Sequence, residues 1–333
     1  MKKALFFVLA VVILQNVWGG GSSAPASSSA TYTMTLGTHL PETTSLTESF
    51  HLFAADVKEK TNGRVTVNVS SAGALGSQRE IIEGTNLGTV EIGMGEASIY
   101  SNYVPAFGIM SLPFLFSSEK QFFAVTDGKI GERLAELLKE KTNLVLISWL
   151  FSGTRDVYST QKMTSLDSLN GLKIRTPEST VFVGGFRAMG ANPTAIAATE
   201  MYTALQQGVV DAMEGTPETG YTYKIYEVAK NCLETSHIYS DASLVINKQV
   251  LAGMPADLQK IILECGKRLE QTERKIFQDK SSSYKGLLTK EGMVYTGIDA
   301  ARATAVAADF HKSYMGNDPV MKELYDMILA TPK

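Results

Sequence analysis

The sequence predicts an α/β fold of two lobes with a ligand cleft between them. Three observations carry that expectation. Short apolar strand-like runs alternate with helix-periodic stretches over residues 32–213, which implies largely parallel sheets flanked by helices. The chain has 333 residues, room for two compact units at ~100–200 residues each. Its 44% hydrophobic and 20% charged residues suffice for an ordinary core and exclude a disordered chain.

Residues 1–30 read as a leader rather than as part of the fold. Lys2 and Lys3 precede an apolar run over residues 4–14, and small residues follow through Ala24, Pro25 and Ala26. That is the order of a secretory signal peptide with a short tether after it. The run is shorter than the ~20 residues a spanning helix needs, and no cysteine follows it to carry a lipid. An uncleaved anchor is the alternative. Removing this segment takes two lysines from the 31 basic residues and none of the 34 acidic ones, so the net charge moves from −3 to −5. No excess of basic charge favours nucleic acid. The two cysteines, Cys232 and Cys265, exclude a disulfide-dense scaffold or a multi-cysteine metal cluster. They can pair in an oxidising compartment; Cys265, among Ile261, Ile262, Leu263 and Leu269, reads equally well as a buried free thiol.

Each element follows from its local pattern. Residues 32–37 (YTMTLG) form a first strand. Leu46, Phe50, Phe53, Ala54 and Val57 recur at helical spacing until Asn62-Gly63 stops them. Val65, Val67 and Val69 alternate as a strand, and residues 73–76 turn the chain into a helix with Ile81 and Ile82 inward. Residues 89–93 (TVEIG) predict a third strand. Residues 144–149 (LVLISW) are a continuous apolar run, a strand buried on both faces. Residues 172–175 (LKIR) predict a strand ended by Pro177. Helices are expected over 181–189, closed by Gly190, and over 200–207, where Gly208 admits a strand over 209–213. From Pro255 to about Phe277, Leu258, Ile261, Ile262, Leu269 and Ile276 mark a long amphipathic helix.

The chemistry is sparse. There is no G-x-S-x-G elbow and no H-E-x-x-H helix. His39, His51, His237 and His311 lack metal-ligand spacing. Gly184-Gly185 has no Lys-Ser/Thr partner for a phosphate cradle. Neither a metal nor a cofactor is expected, and no nucleophile–base pair suggests an enzyme. Two arginines at strand ends stand out: Arg155 after the apolar run, and Arg175 just before Thr176-Pro177. A planar guanidinium can hold a carboxylate by two parallel hydrogen bonds. Pairing with a protein carboxylate such as Asp156 or Glu178 is the alternative.

Taken in order, the stretches K-T-N-G-R-V (60–65), G-A-L-G-S-Q-R-E (73–80), L-P-F-L-F (112–116), G-T-R (153–155), L-N-G-L-K-I-R-T-P-E (169–178), M-G-A-N-P-T (189–194), E-M-Y-T-A-L-Q-Q-G-V-V-D (200–211) and K-I-Y-E-V-A-K (224–230) resemble the substrate-binding proteins of tripartite ATP-independent periplasmic (TRAP) transporters, the DctP-like family. The resemblance runs from about Thr35 to Gly297. It implies two lobes joined by crossing strands and a long bracing helix, here divided as 31–152 with 241–280 and 153–240 with 281–333. It also implies that Arg175, in the K-I-R-x-P motif, grips a ligand carboxylate and that Arg155, in G-T-R, assists. Glu96 matches a pocket glutamate of sialic-acid-binding members, where it would accept hydrogen bonds from ligand hydroxyls or an amine. His39 falls where those members carry a pocket asparagine, or else sits on a surface turn; Glu80 is expected as a helix-surface charge.

Three departures from those members stand out. Gly215 replaces an asparagine that reaches the carboxylate, Ala198 replaces a ring-stacking aromatic, and Ile99 replaces an arginine. They argue against sialic acid and imply a roomier, less polar pocket. The expected function is a periplasmic carrier of a small organic acid, a hexuronate or aldonate first, which it hands to the small and large TRAP membrane subunits. A C4-dicarboxylate, a keto or hydroxy acid and an amino-acid-like ligand stay open. Other readings are the binding subunit of a sensor and an exported enzyme on a two-lobe fold.

Overall fold

The computed structural model describes residues 30–333, so the expected leader lies, but for Ala30, outside the described residues. The strands are β1 (Tyr32–Gly37), β2 (Val65–Ser70), β3 (Ile92–Gly95), β4 (Leu144–Ser159), β5 (Lys173–Thr176), β6 (Asn192–Ala195), β7 (Ala212–Gly215), β8 (Asn231–Asn247) and β9 (Val294–Gly297). The helices are α1 (Ser45–Lys60), α2 (Gln78–Leu87), α3 (Ala97–Tyr100), α4 (Glu119–Thr126), α5 (Lys129–Lys141), α6 (Thr180–Ala188), α7 (Met201–Gln206), α8 (Pro217–Thr222), α9 (Lys248–Ala252), α10 (Ala256–Lys290), α11 (Ala300–Met315) and α12 (Pro319–Ala330).

Strand order is β2-β1-β3-β8-β4-β7-β5-β6, with β9 also on β8. Two long antiparallel strands, β4 and β8, make the middle. The last residues of β8 pair with β3, whereas its first residues pair with β9. Likewise β7 pairs only with the end of β4, from Asp156 to Ser159. The two strands therefore cross from one half of the sheet to the other, the two-lobe architecture the sequence predicts. β1, β2 and β3 are parallel neighbours in one half, and β5, β6 and β7 in the other.

Local signals mostly act where expected. Thr44 caps α1, and Asn62 and Gly63 follow its end at positive φ. Ser77 and Glu80 form a reciprocal capping box on α2, so Glu80 closes a helix start rather than facing a ligand. Two strands begin three residues later than predicted, for one reason. After Gly88 (φ 83), the N–H groups of Thr89 and Val90 both donate to Gly84 O; after Gly208 (φ 69), those of Val209 and Val210 both donate to Ala204 O. Those residues close the preceding helix in a left-handed C-cap and cannot join the ladder, so β3 starts at Ile92 and β7 at Ala212.

Three elements exceed or escape the sequence reading. β4 continues ten residues past Trp149. β8 has no apolar alternation to announce it, since its buried residues include Thr235, His237, Ser240, Asp241 and Ser243. α10 runs to Lys290 because Tyr284 and Leu288 are buried beyond its polar Ser281–Ser283 stretch. The C-terminal helices α11 and α12 were also not foreseen. α12 bears on the expected lobe boundaries, which put residues 281–333 with the second half. It packs on α5 and on the Pro105–Ser111 turn of the first half, and Gln121 donates to Ile328 O. The core follows this wrap: one cluster lies under β1–β3 with α1 and α10, another under β7 and α7, and a third joins Phe107 and Trp149 to Ile174, Phe186 and Ile328. Gly184 and Gly185 serve close packing of α6: a Cβ there would meet Phe310 at 2.6 Å and Pro113 at 2.8 Å. Cys232 and Cys265 are both buried and free.

Candidate functional site

A cleft lies between the two halves of the sheet, lined by residues of both. His39, Glu96, Arg155, Arg175 and Ala198 all line it, so five of the six residues singled out in the sequence meet there. Gly215 is not among the lining residues; it ends β7, and a Cβ on it would face Met213 and Thr219.

The two arginines differ in kind. Arg175 is the next-to-last residue of β5, just ahead of the turn through Pro177, and is 4% exposed. Its Nε donates to Ile196 O at 2.7 Å, and Nη1 lies 3.8 Å from the Met201 sulfur. Among the described residues it makes no ion pair, and burial pushes its pKa down to about 10, still cationic at neutral pH. Arg155, on β4, is 6% exposed and already neutralised: Nε meets Glu214 Oε2 at 2.5 Å and Nη2 meets Oε1 at 2.7 Å. Burial opposes its charge, but Glu214 outweighs burial and holds the guanidinium above its ordinary pKa. Nη1 remains, 3.2 Å from Ser240 Oγ and 3.7 Å from Glu96 Oε1. The sequence offered Asp156 or Glu178 as protein partners. Asp156 cannot serve, because successive strand residues point to opposite faces; it accepts instead from Ser236 N.

Sequence reasoning assigned no role to Glu214, which falls one residue past the strand expected over 209–213; the structure buries it in β7, and a buried carboxylate demands a cation. Burial alone would raise its pKa, yet Arg155 and His237 bring it down to about 2. His237 Nε2 sits 3.4 Å from it, with Nδ1 on Thr235 Oγ1.

Glu96 follows β3 and is 9% exposed. Its closest side-chain donor is Ser98 Oγ at 3.5 Å, and burial raises its pKa. Asp241, accepting from Ala97 N, is pushed up to about 8 by burial and by Glu96. His39 is buried and not on a surface turn. Its Nδ1 has no partner, its carbonyl accepts from Tyr223 Oη at 3.2 Å, and burial with Arg175 and Arg155 holds its pKa near about 3, so the ring is neutral. Glu218, also unforeseen, joins the halves: its carboxylate accepts from Ser45 N at 2.7 Å, Ser45 Oγ at 2.6 Å and Tyr284 Oη at 2.8 Å. Among the described residues no group of histidines, cysteines or carboxylates is arranged to hold a metal.

A cation without an ion-pair partner among the described residues, an acceptor without a strong donor and a neutral imidazole share a cleft between two α/β lobes, the architecture of a solute-binding protein. The chain belongs to bacterial extracellular solute-binding protein family 7, the DctP family, whose model matches residues 36–317. It is 31% identical to a solute-binding protein of Verminephrobacter eiseniae over 79% of this chain and 80% of that one. Its fold is similar to that of two crystallised TRAP periplasmic solute-binding proteins. One, from Sulfitobacter sp. NAS-14.1 with bound β-D-galacturonate, is 27% identical and superposes with a TM-score of 0.85, covering 89% of this chain and 99% of that one. The other, from Roseobacter denitrificans with bound β-D-glucuronate, is 26% identical with a TM-score of 0.87, covering 90% and 100%.

Proposed function

We propose that this protein captures a small sugar acid, a hexuronate or aldonate, in the periplasm and delivers it to the small and large membrane subunits of a TRAP transporter. The observation that carries the reading is Arg175, a buried guanidinium without an ion-pair partner among the described residues, on which Glu214 and Glu96 act only from farther away. An unpaired buried charge is costly, and a ligand carboxylate on its free nitrogens would relieve that cost with two charge-assisted hydrogen bonds. Arg155 adds only Nη1, since Glu214 takes its other edge. Glu96 accepts from ligand hydroxyls, and neutral His39 offers a further donor or acceptor. Ala198 leaves room where an aromatic would stack, and Gly215 contributes shape rather than a contact. The hexuronates bound by the two crystallised relatives support the same ligand class. The crossing of β4 near Gly153 and of β8 near Ser240 supports the expected division into 31–152 with 241–280 and 153–240 with 281–333, α12 apart.

Titration calorimetry of the purified protein against hexuronates, aldonates, neutral sugars and amino acids tests the reading. The expected result is binding of sugar acids alone. Arg175→Ala should lose ~2–5 kcal/mol of it, and Arg175→Lys should also bind poorly because a point charge cannot reproduce the fork. An unchanged dissociation constant in Arg175→Ala, or tight binding of neutral sugars, would sink it.

A further inference from the structure

We infer that the cleft is built for acids carrying a single carboxylate and rejects diacids of the same length, with Glu96 as the residue that enforces the choice. The inference rests on the reading of Arg175 as the carboxylate's partner and adds what the opposite end of the ligand must be.

It follows from where charge in the cleft is already matched. Arg155 and Arg175 are the only lysines or arginines among the described residues lining the cleft. Arg155 is spent: Glu214 holds two of its nitrogens at 2.5 and 2.7 Å, and the third faces Ser240 and Glu96. The imidazole of His39 is neutral, being buried between two cations, so it brings no second positive charge. One carboxylate can therefore be neutralised, at Arg175, and no cation is left for another.

Glu96 turns that shortage into rejection. Its side chain is buried at the cleft wall, and no side-chain donor comes nearer than 3.5 Å. Its oxygens call for donors, which a hydroxyl-bearing carbon supplies and a carboxylate does not. A second carboxylate in the cleft would meet Glu96, with Glu214 behind it, out of water and without a counter-charge. Like-charge juxtaposition of this kind is a common device for excluding a wrong partner. Glu218 also lines the cleft, but its oxygens already accept from Ser45 and Tyr284, so it does not call for a ligand donor as Glu96 does. Glu96 thus accepts the hydroxyl of a uronate or aldonate and excludes the aldarate that differs only by oxidation of the far carbon.

Calorimetry with matched pairs tests this: D-glucuronate against D-glucarate, D-erythronate against meso-tartrate, and butyrate against succinate. In the pair that binds, the monoacid should be favoured by at least about 100-fold, the consequence of a like-charge cost of several kcal/mol at ~1.4 kcal/mol per decade. Glu96→Gln, which keeps the shape and removes the charge, should narrow that ratio at least about tenfold. A diacid within about threefold of its partner overturns the inference while leaving the sugar-acid reading intact. Tight butyrate with rejected succinate would uphold the inference and overturn the sugar-acid reading. An unchanged ratio in Glu96→Gln would remove Glu96 from the role, and binding of no acid at all would overturn both.

Discussion

Arg155 and Arg175 lie in one cleft, both buried, and differ in what stands opposite. β4 and β7 pair antiparallel with Val157 opposite Glu214, and Arg155 shares a face with Val157, so it reaches Glu214 diagonally across the ladder. β5 and β7 run parallel with Arg175 opposite Met213, so no carboxylate waits for it. The two residues should therefore respond to substitution with opposite signs. Glu214→Gln leaves the buried Arg155 with only Glu96, 3.7 Å away, in place of its two-point partner, and should cost ~3–5 kcal/mol of stability, read as a fall in Tm. Arg175→Met removes a buried charge that has no partner, and should leave the Tm of the ligand-free protein equal or higher while abolishing acid binding. A Tm loss in Arg175→Met as large as that in Glu214→Gln would show that the protein, not the ligand, already satisfies Arg175.

At the level of elements, α10 ties the halves together. It packs on α1 and β4 and also on α8. Along the edge of β4 that β7 leaves unpaired before Asp156, its carboxylates take the free donors: Trp149 N–H donates to Glu270 at 3.1 Å and Phe151 N–H to Glu273 at 3.2 Å. Ahead of the brace, Glu218 at the start of α8 sits on Ser45, the first residue of α1, so a carboxylate meets the unsatisfied N–H groups and positive end of a helix. Tyr284 of α10 holds the same carboxylate. This three-way contact joins α1 to α8 across the mouth of the cleft. Glu218→Ala should weaken ligand binding about tenfold or more, because the bridge fails and its donors lose their partner at ~1–3 kcal/mol. Tyr284→Phe removes one donor and should cost less, ~0.5–1.5 kcal/mol. Equal affinities for Glu218→Ala and the unaltered protein would separate the bridge from binding.

For the molecule as a whole, buried carboxyls set the response to pH. Burial raises Asp241 and Glu273 to about 8, and Asp156 to about 6. A carboxyl raised on folding contributes stability that is full below its unfolded pKa and is lost as pH rises through its folded one. Glu214 and His39 are depressed, to about 2 and about 3, so their contributions are lost as pH falls, below ~4.5 and ~6.5 respectively. Between pH ~6.5 and ~8.5 the depressed pair is silent and Asp241 and Glu273 dominate. The urea midpoint of the ligand-free protein should fall across that window. The fall should shrink in the Asp241→Asn, Glu273→Gln double variant, whose amide oxygens still accept from Ala97 and Phe151. An undiminished fall in that variant would assign the pH response to other groups.

The local part of this molecule is written in the chain. Helix periods, the glycine stops and Arg175 ahead of Pro177 could be read because each depends on neighbours a few residues away. The ordered motifs likewise identified the family, since family resemblance is a property of sequence order. What escaped depends on distant partners. β8 was illegible because its buried polar residues are answered by Gly95, Ala97, Tyr100 and Arg155, and no local pattern announces a satisfied polar interior. Which arginine is free could not be read either, for Arg155 and Glu214 stand 59 positions apart and meet only through the β4–β7 register. The sequence by itself determined the class of fold, the cation and the wall of the cleft. Only the tertiary structure decided where charge is already spent, because in a buried cleft electrostatics is governed by distance in space and by exclusion of water, and neither is a function of position along the chain.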